Sequence, residues 1–239
     1  MSALPRFTYA FAANPCGGLR TTLAGAEVLL RKSGAMMLGD MLVAADLHLE
    51  KGSAYAARGQ MLPPYDTRET LRRLEAEVAA LSPRVVLLLG DTFHDRSSED
   101  RLAEEDAQRL RALASGRTLI WIVGNHDADG PRRLPGEVLA ELEVAGVAFR
   151  HEPAPTPQPG EAAGHLHPCA KVRAASGVVR RRCFVTDGER VVLPAFGAYA
   201  GGLNVRDIAF SSLFARPPLA CALGAGRVHA VGWRSLAAD

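Results

Sequence analysis

The feature of this sequence that most constrains its fold is a set of three apolar runs that each end abruptly in polar residues. The runs are MLVAA (41–45), VVLLLG (85–90) and TLIWIVG (118–124), and the polar residues that follow them are DLHLE, DTFHD and NHD. A short, continuous apolar run with polar boundaries is typical of a buried strand. We therefore interpret the three runs as buried strands, each of which delivers polar side chains at its carboxyl end.

Amphipathic helices are predicted between these strands. In 66–81, the residues Leu71, Leu74, Val78 and Leu81 fall on one helical face. Asp66 and Glu69 have the spacing of a capping box at the start of that helix. The segments 97–116 and 134–145 are predicted to be further helices.

Strand-like segments occupy the two ends of the chain. The segments AEVLL (26–30) and AMML (35–38) flank the turn residues RKSG and predict a hairpin. VAFR (147–150) is a short predicted strand, the proline-rich segment 153–161 is a predicted loop, and KVRA, RRRCFVT, RVVLP and RVHAVG are further β-like runs. The pattern as a whole predicts an α/β or α+β layered fold.

The length of 239 residues suits one large domain or two small ones, and we expect a single domain over residues 1–239. Hydrophobic residues make up 48% of the chain, and the net charge of +2 neither indicates nor excludes a nucleic-acid partner. The four cysteines form no C-x-x-C pair, so reduced thiols in a cytoplasmic protein are expected. No apolar run reaches the ~18 residues that a membrane span needs. The apolar segment 7–13 is short and interrupted, which argues against a signal peptide.

Nine polar residues stand at or near the ends of the predicted strands, and we expect them to converge, because ligands of α/β folds bind at the carboxyl ends of strands. They are Asp46, His48, Asp91, Asn125, His126, Asp127, His151, His165 and His167. Five of the seven histidines of the chain are in this set. Imidazole and carboxylate groups are ligands of first-row transition metals, and an amide oxygen can join them.

The spacing and the number of these residues predict two metal ions. Residues i and i+2 of extended backbone point the same way, so Asp46 can share a direction with His48. Gly90, Gly124 and Gly164 each precede such a group and allow close backbone approach. One zinc ion takes about four ligands, whereas seven candidates besides His126 and Asp127 would supply two ions about 3.5–4 Å apart.

At this point the sequence resembles a known family. The motifs D-x-H, G-D, G-N-H-D, a lone H and G-H-x-H, in that order over residues 46–167, resemble the calcineurin-like metallophosphoesterase superfamily. Longer stretches, among them 46–67, 90–96 and 193–207, resemble the PdeM-type bacterial endonucleases associated with a DNA ligase repair cluster. This second resemblance covers about residues 20–215.

The resemblance implies a layered sandwich of two β-sheets flanked by helices. It also implies that one metal is held by Asp46, His48, Asp91 and His167, and the other by Asp91, Asn125, His151 and His165. His126 matches the catalytic histidine that protonates the leaving oxygen when metal-activated water attacks a phosphodiester. Manganese is favoured by the resemblance alone, because nitrogen and oxygen ligands leave iron and zinc possible.

The implied function is that of a DNA endonuclease in repair. Its substrate would be single-stranded or damaged DNA, and its functional partners a DNA ligase, a helicase and an exonuclease. The motifs equally permit a nucleotide or cyclic-nucleotide phosphodiesterase or a phosphatase, since they recognise phosphorus chemistry and not the leaving group. A non-catalytic interaction module is a third hypothesis, against which the complete ligand set argues.

Several residues keep alternative roles at this point. His94 stands three positions after Asp91, where it either contacts substrate phosphate or forms a supporting hydrogen bond. Arg58 and Arg206 are candidate substrate contacts, and Asp127 is a candidate to orient His126. The run Arg180, Arg181 and Arg182 either contacts a nucleic-acid backbone or forms a solvated face. Cys169 is a candidate zinc ligand that the other ligands make unnecessary, and His229 is expected to be a strand residue. The glycines of 197–204 are expected to serve tight turns rather than phosphate binding.

Overall fold

Two β-sheets pack face to face and helices cover the outer side of one of them. The computed structural model describes residues 11–174 and 177–239, so most of the apolar segment 7–13 lies outside the described residues. The two sheets and the flanking helices confirm the predicted layered sandwich. Within the described residues, no helix combines the length and the apolar character that crossing a membrane requires.

The first sheet has eight strands that pair in the order of the chain. They are β1 (Ala12–Ala13), β2 (Leu19–Leu23), β3 (Ala26–Leu30), β4 (Met36–Leu38), β5 (Met41–Ala45), β6 (Val85–Leu89), β7 (Thr118–Ile122) and β8 (Glu137–Leu139). Pairing is antiparallel from β1 to β5 and parallel from β5 to β8. The three apolar runs are therefore neighbouring strands whose carboxyl ends lie at one edge of the sheet.

The second sheet has nine strands. They are β9 (Glu141–Val144), β10 (Val147–Arg150), β11 (Glu161–Ala163), β12 (Cys169–Ala174), β13 (Gly177–Thr186), β14 (Arg190–Val192), β15 (Leu219–Leu223), β16 (Val228–Gly232) and β17 (Leu236–Ala237). Seven of them pair in the order β16-β15-β13-β14-β11-β10-β9, while β12 joins β13 to β17. Strands β10, β11 and β14 run parallel to one another.

Strands β5, β6 and β7 of the first sheet are buried on both faces, which explains their continuous apolar sequences. Leu87 and Leu89 of β6 pack toward the second sheet, in a core that includes Phe149 and Phe184. Leu88, between them, points to the other side and packs in the cluster that the helices cover. One hydrophobic core thus lies between the sheets and another lies under the helices.

Four helices and two 3-10 turns complete the described structure. The helices are α1 (Lys51–Ala56), α2 (Asp66–Leu81), α3 (Ser98–Arg101) and α4 (Glu104–Leu113), and the 3-10 turns are Ile208–Phe210 and Trp233–Ser235. Leu71 and Leu74 of α2 and Leu110 of α4 are buried against the first sheet. The helical face predicted for 66–81 is therefore the face that packs on the sheet.

The prediction of a helix at 134–145 is wrong, because this segment forms the strands β8 and β9. Gly136 has φ 127° and lies so close to Trp121 that a Cβ would meet the indole nitrogen at 2.3 Å. The turn after β9 has positive φ at both Ala145 and Gly146, the geometry of a two-residue hairpin. Strand pairing on both sides thus overrides the helical spacing of its apolar residues.

The helix predicted at 97–116 is divided in two. Leu102 and Ala103 have extended backbone between α3 and α4. The carboxylate of Glu99 accepts hydrogen bonds from the backbone N–H groups of Arg132 and Arg133, which holds α3 to a neighbouring loop. This tertiary contact turns α3 away from the axis of α4.

The predicted capping box at the start of α2 is also absent. Tyr65 is the N-cap residue and contributes no side-chain cap. Asp66 instead accepts a hydrogen bond from the backbone N–H of Gly52 at 3.0 Å. Its carboxylate therefore joins α1 to α2 rather than capping α2 itself.

Candidate metal centre

The polar strand ends converge where the carboxyl ends of the parallel strands of both sheets meet. Asp46 and His48 follow β5, Asp91 follows β6, and Asn125 follows β7. From the second sheet, His151 follows β10, and the two histidines His165 and His167 follow β11. The backbone N–H of Gly164 donates to the carbonyl of His151 at 2.9 Å, which ties these last two segments together.

A first group of donor atoms comprises Asp46, His48 and His167. The Nε2 atoms of His48 and His167 lie 3.1 Å apart. The Nε2 atom of His167 is also 3.4 Å from Oδ1 of Asp46. Asp46 and His48 are buried, whereas the His167 side chain is 19% exposed.

A second group comprises Asp91, Asn125, His151 and His165. Oδ1 of Asn125 lies 2.9 Å from Nε2 of His151 and 3.0 Å from Nδ1 of His165. These two ring nitrogens are 3.1 Å apart. Oδ2 of Asp91 is 3.3 Å from the His151 nitrogen, so four donor atoms from four loops surround one point.

The Oδ2 atom of Asp91 lies between the two groups, because it is 3.3 Å from Nε2 of His151 in the second and 3.9 Å from Nε2 of His48 in the first. These spacings fit metal coordination: ligands about 2.0–2.1 Å from one ion lie roughly 3.0–3.4 Å from each other. Most of the donor separations in both groups fall close to that range. The donor set therefore suits two divalent ions that share one carboxylate.

His126 stands beside this arrangement with one ring nitrogen anchored and the other directed to the donors. Nδ1 lies 2.6 Å from the backbone carbonyl of His94 and donates to it, because a carbonyl accepts only. Nε2 is 4.0 Å from Oδ2 of Asp91, and the His126 side chain is 38% exposed. His126 is thus placed to exchange a proton at Nε2 with a group bound at the surface.

The family of this chain follows from comparison with a protein-family model. Residues 40–171, more than half of the chain, match the model of the calcineurin-like phosphoesterases. The chain belongs to this family. The match begins just before β5 and ends just after the two histidines of GHLH, so it spans all the donor residues.

Among solved structures, this phosphoesterase is similar to the nuclease MPE of Pseudomonas putida. The TM-score is 0.69 and the sequence identity 27%, over 90% of this chain and 100% of the other. Yfce, a phosphoesterase from E. coli, gives a TM-score of 0.39 and 15% identity over 80% of this chain and 98% of the other, too low to support any functional comparison. A search of curated proteins found no match.

The backbone of the phosphoesterase is strained at its donor residues. Asp46, His48, Asp91, His165 and His167 all have positive φ, between 45° and 68°. Side chains other than glycine rarely adopt this conformation, and strain of this kind concentrates at functional sites. Asp46 and His48 therefore reach one donor group through left-handed residues and not through the extended backbone assumed from their spacing.

The three predicted glycines are required by close contacts. A Cβ at Gly124 would lie 2.1 Å from Oδ1 of Asp91, and one at Gly164 would lie 2.5 Å from Oδ2 of Asp46. A Cβ at Gly90 would lie 2.0 Å from Nδ1 of His151. Each donor loop thus packs directly on the backbone of another, as the sequence predicted.

Burial and neighbouring charges set the protonation of two donors in a way that suits metal binding. Burial, and then the nearby His167, lower the pKa of His48 to about 3. Burial acts to raise the pKa of Asp91, but the hydrogen bond and charge of His151 outweigh it and hold that pKa at about 2. At neutral pH, His48 is neutral and Asp91 is ionised, which are the forms that bind a metal.

His94 lies between the donors and the first helix. Its ring is stacked 5.4 Å from that of His126 and lies edge-on to that of His48 at 5.7 Å. Burial, followed by the charge of Lys51, lowers the pKa of His94. The backbone carbonyl of His94 accepts the hydrogen bond that orients His126. The His94 ring takes no part in that hydrogen bond.

Asp127 does not orient His126. Its Oδ1 accepts from the N–H of Gly124 at 2.9 Å and its Oδ2 from the N–H of Phe93 at 3.1 Å. The residue is 7% exposed, and burial raises the pKa of its carboxyl group. It therefore holds the loops after β6 and β7 together, and the substrate contact suggested for it is not supported.

The remaining candidates are distributed over the surface and the core. Arg58 is exposed and its charge acts on His94, while the guanidinium of Arg206 lies over the ring of Trp233 at 4.8 Å and packs there. Cys169 is buried and belongs to none of the donor groups found among the described residues. His229 is an exposed residue of β16.

The segment after β14 supports the donor loops, a role that sequence analysis did not assign to it. The N–H groups of Phe196 and Gly197 donate to the carbonyls of Ala45 and Asp46. A Cβ at Gly197 would lie 2.2 Å from the carbonyl oxygen of Leu47, and one at Gly202 would lie 2.1 Å from that of His167. These two glycines permit close packing on the donor loops, whereas the sequence had suggested tight turns.

Arg182 forms hydrogen bonds with the backbone of this segment. Its Nη1 donates to the carbonyl of Ala195 at 2.8 Å and approaches those of Phe196 and Gly197 at 3.4 and 3.3 Å. Burial lowers the pKa of its guanidinium. Arg182 is thus turned inward, unlike its exposed neighbour Arg181, and is not available to a nucleic-acid backbone.

Replacing Arg182 by methionine is expected to lower both stability and metal affinity. The carbonyls at 195–197 would lose their donor in a buried setting, at a cost of about 2 kcal/mol, which corresponds to a fall in Tm of about 4–8 °C. The loop that carries Asp46 would loosen with them. Thermal unfolding and metal titration measure the two effects, and Arg181→Met is the matched control. Equal values for the two variants would contradict the supporting role of Arg182.

Proposed function

We propose that this phosphoesterase is a DNA endonuclease that acts in DNA repair with two divalent metal ions, of which manganese is favoured. The observation that carries the proposal is the position of Asp91 Oδ2 between two donor groups, with Nε2 of His126 4.0 Å from it. That arrangement suits a phosphodiester held between positive charges and next to a proton donor.

In the proposed reaction, bound divalent cations would supply positive charge beside the phosphate and lower the pKa of a water molecule. The protein's own groups do the rest. The carbonyl of His94 holds His126 in one tautomer and one orientation. His126 would donate a proton from Nε2, which faces the donor groups, to the leaving oxygen.

The choice of a nucleic-acid substrate is supported by the likeness to a protein described as a nuclease, at 27% identity over 90% of the chain. Repair, with a ligase, a helicase and an exonuclease as functional partners, is the finer part of the proposal and derives from the sequence resemblance. We further propose a single domain over residues 1–239 and a cytoplasmic location.

A substrate panel tests the activity. The purified protein is freed of metal with a chelator, supplied with manganese, and given single-stranded circular DNA, plasmid DNA, bis(p-nitrophenyl) phosphate and p-nitrophenyl phosphate. We expect cleavage of the diester and of circular DNA that depends on added metal. Hydrolysis of the monoester alone would instead favour a phosphatase, and hydrolysis of small diesters without DNA cleavage would favour a nucleotide phosphodiesterase.

Metal binding is expected to stabilise the fold. A ligand at one hundred times its Kd stabilises by about 2.7 kcal/mol, which raises the Tm of a domain of this size by roughly 5–10 °C. Differential scanning fluorimetry of chelator-treated protein with manganese, iron or zinc measures the shift. Mass spectrometry of the native protein should find two ions per chain. If none of these metals changed the Tm, the two-metal proposal would fail.

A further inference from the structure

One face of α1 and its following turn carries two cations and an aromatic ring. Lys51, Tyr55 and Arg58 are spaced i, i+4 and i+7, which places them on one side of a helix. The helical path continues past Ala56, since the N–H of Arg58 donates to the carbonyl of Tyr55. The Lys51 Nζ lies 5.9 Å from the Tyr55 ring centroid, as expected for neighbours on one face.

This face lies against the candidate metal centre. The Tyr55 ring is 5.9 Å from the ring of His94, which in turn stacks 5.4 Å from His126. Lys51 and Arg58 both act electrostatically on His94, so their charges are near the same ring. Tyr55 is therefore separated from the proposed proton donor by a single histidine.

The helix is held firmly in this position. Gly52 packs so close to Asp66 that a Cβ would lie 2.7 Å from Oδ1, and its N–H donates to the same carboxylate. The carboxylate of Glu50 accepts hydrogen bonds from Ser53 and Thr67, at 2.6 and 2.8 Å. These contacts give α1 a fixed orientation on α2, independent of the three side chains on its outer face.

The two cations of this face have no acidic partner among the described residues. Lys51 donates to the carbonyl of Tyr199 at 3.1 Å, and neither Lys51 nor Arg58 lies within 4.0 Å of a carboxylate in the described ranges. In α2 and α4, by contrast, Arg72, Arg109 and Arg111 are all in ion pairs. Cations without an acidic partner would repel the metal ions of a nearby metal centre, unless an anion binds between the cations and the metals.

We propose that this face binds the single-stranded nucleic acid next to the scissile phosphate, with Tyr55 stacking on a base and Lys51 and Arg58 contacting the flanking phosphates. The inference rests on the proposed nuclease function and on the single-stranded substrate that the sequence resemblance implies, and it names the residues that would hold that strand. Aromatic rings flanked by cations are the features with which proteins bind single strands. A duplex keeps its base faces stacked, so it offers Tyr55 no partner.

The test uses the full chain with Tyr55→Leu, the double variant Lys51→Gln/Arg58→Gln, and Arg84→Gln as control. Arg84 is 85% exposed and precedes β6, at the edge of the sheet opposite the donors. Fluorescence anisotropy with a labelled 12-nucleotide thymidine strand in chelator measures binding without cleavage. Single-stranded circular DNA and bis(p-nitrophenyl) phosphate with manganese measure turnover, and circular dichroism checks folding.

Tyr55→Leu is expected to weaken binding of the single strand about tenfold, because stacking on one base contributes about that much. The double variant is expected to reduce the slope of log Kd against log salt by about 1.4, at roughly 0.7 per phosphate contact on a single strand. Both variants should lose more activity on circular DNA than on the small diester. Arg84→Gln should match the wild type.

Several outcomes would overturn the proposal. If the wild type cleaves DNA but both variants bind and cleave like Arg84→Gln, the inference is wrong and the nuclease function stands. If Tyr55→Leu loses as much affinity for duplex as for single strand, the single-strand assignment is wrong. If free thymidine monophosphate competes as tightly as the 12-nucleotide strand, the face binds a nucleotide. A wild type that neither binds nor cuts DNA ends both proposals.

Discussion

Asp91→Asn is expected to lower phosphodiester hydrolysis by about a thousandfold or more. Oδ2 of Asp91 lies 3.3 Å from a donor of one group and 3.9 Å from a donor of the other. In the proposed two-metal centre, its replacement by an amide nitrogen would therefore remove a ligand and a negative charge from both ions. Loss of several kcal/mol of metal-derived stabilisation corresponds to a rate change of that order. The substitution preserves shape, and the amide oxygen can still accept from the backbone N–H of His126, as Oδ1 of Asp91 does at 2.9 Å.

Metal analysis separates loss of the centre from loss of the fold. Asp91→Asn should keep its far-ultraviolet circular dichroism while it binds fewer manganese ions than the wild type. Asp40→Asn is the matched control, since Asp40 is 60% exposed and precedes β5 at the opposite edge of the sheet. A variant at Asp91 that retained both its metal content and a tenth of its activity would show that this carboxylate does not bridge two ions.

His126→Gln is expected to lower the rate of DNA cleavage by about a hundredfold to ten-thousandfold, the usual range for removal of a general acid. The loss should depend on the leaving group. An alkoxide leaving from deoxyribose requires a proton, whereas p-nitrophenolate leaves without one. On bis(p-nitrophenyl) phosphate the same variant should therefore lose less than about tenfold.

This comparison distinguishes proton donation from simple positioning. If the ring merely held the substrate, both substrates would be affected alike, and equal losses would rule out the general-acid role. His229→Gln removes an exposed imidazole from β16 and serves as the control.

The strands and the meeting of their ends were predictable because they follow from local composition. A strand buried on both faces must be apolar throughout, so the runs that became β5, β6 and β7 are visible without any partner. Their polar residues then meet because parallel strands end at one edge. The family match over 40–171 agrees with the resemblance recognised from the same motifs.

What the sequence did not reveal depends on contacts between distant segments. The segment 137–144 has helical spacing, yet it pairs as β8 and β9 because strands on either side offer free backbone groups. Arg182 looks like its neighbours in a run of three arginines, and only the fold turns it inward. The positive φ of Asp46 or His165 likewise cannot be read from the sequence, because only glycine signals such a backbone conformation.

The origin of the donors in two different sheets links metal affinity to the position of one sheet relative to the other. Asp46, His48 and Asp91 follow strands of the first sheet, while His151 and His165 follow strands of the second. A relative slide of about 1 Å would move donor pairs outside the roughly 3.0–3.4 Å that a single ion requires. Substitutions that loosen the core between the sheets, such as Phe149→Ala or Phe184→Ala, should therefore weaken manganese binding although neither ring belongs to a donor group. Affinity for the metal would then report on how rigidly the two halves of the sandwich are held.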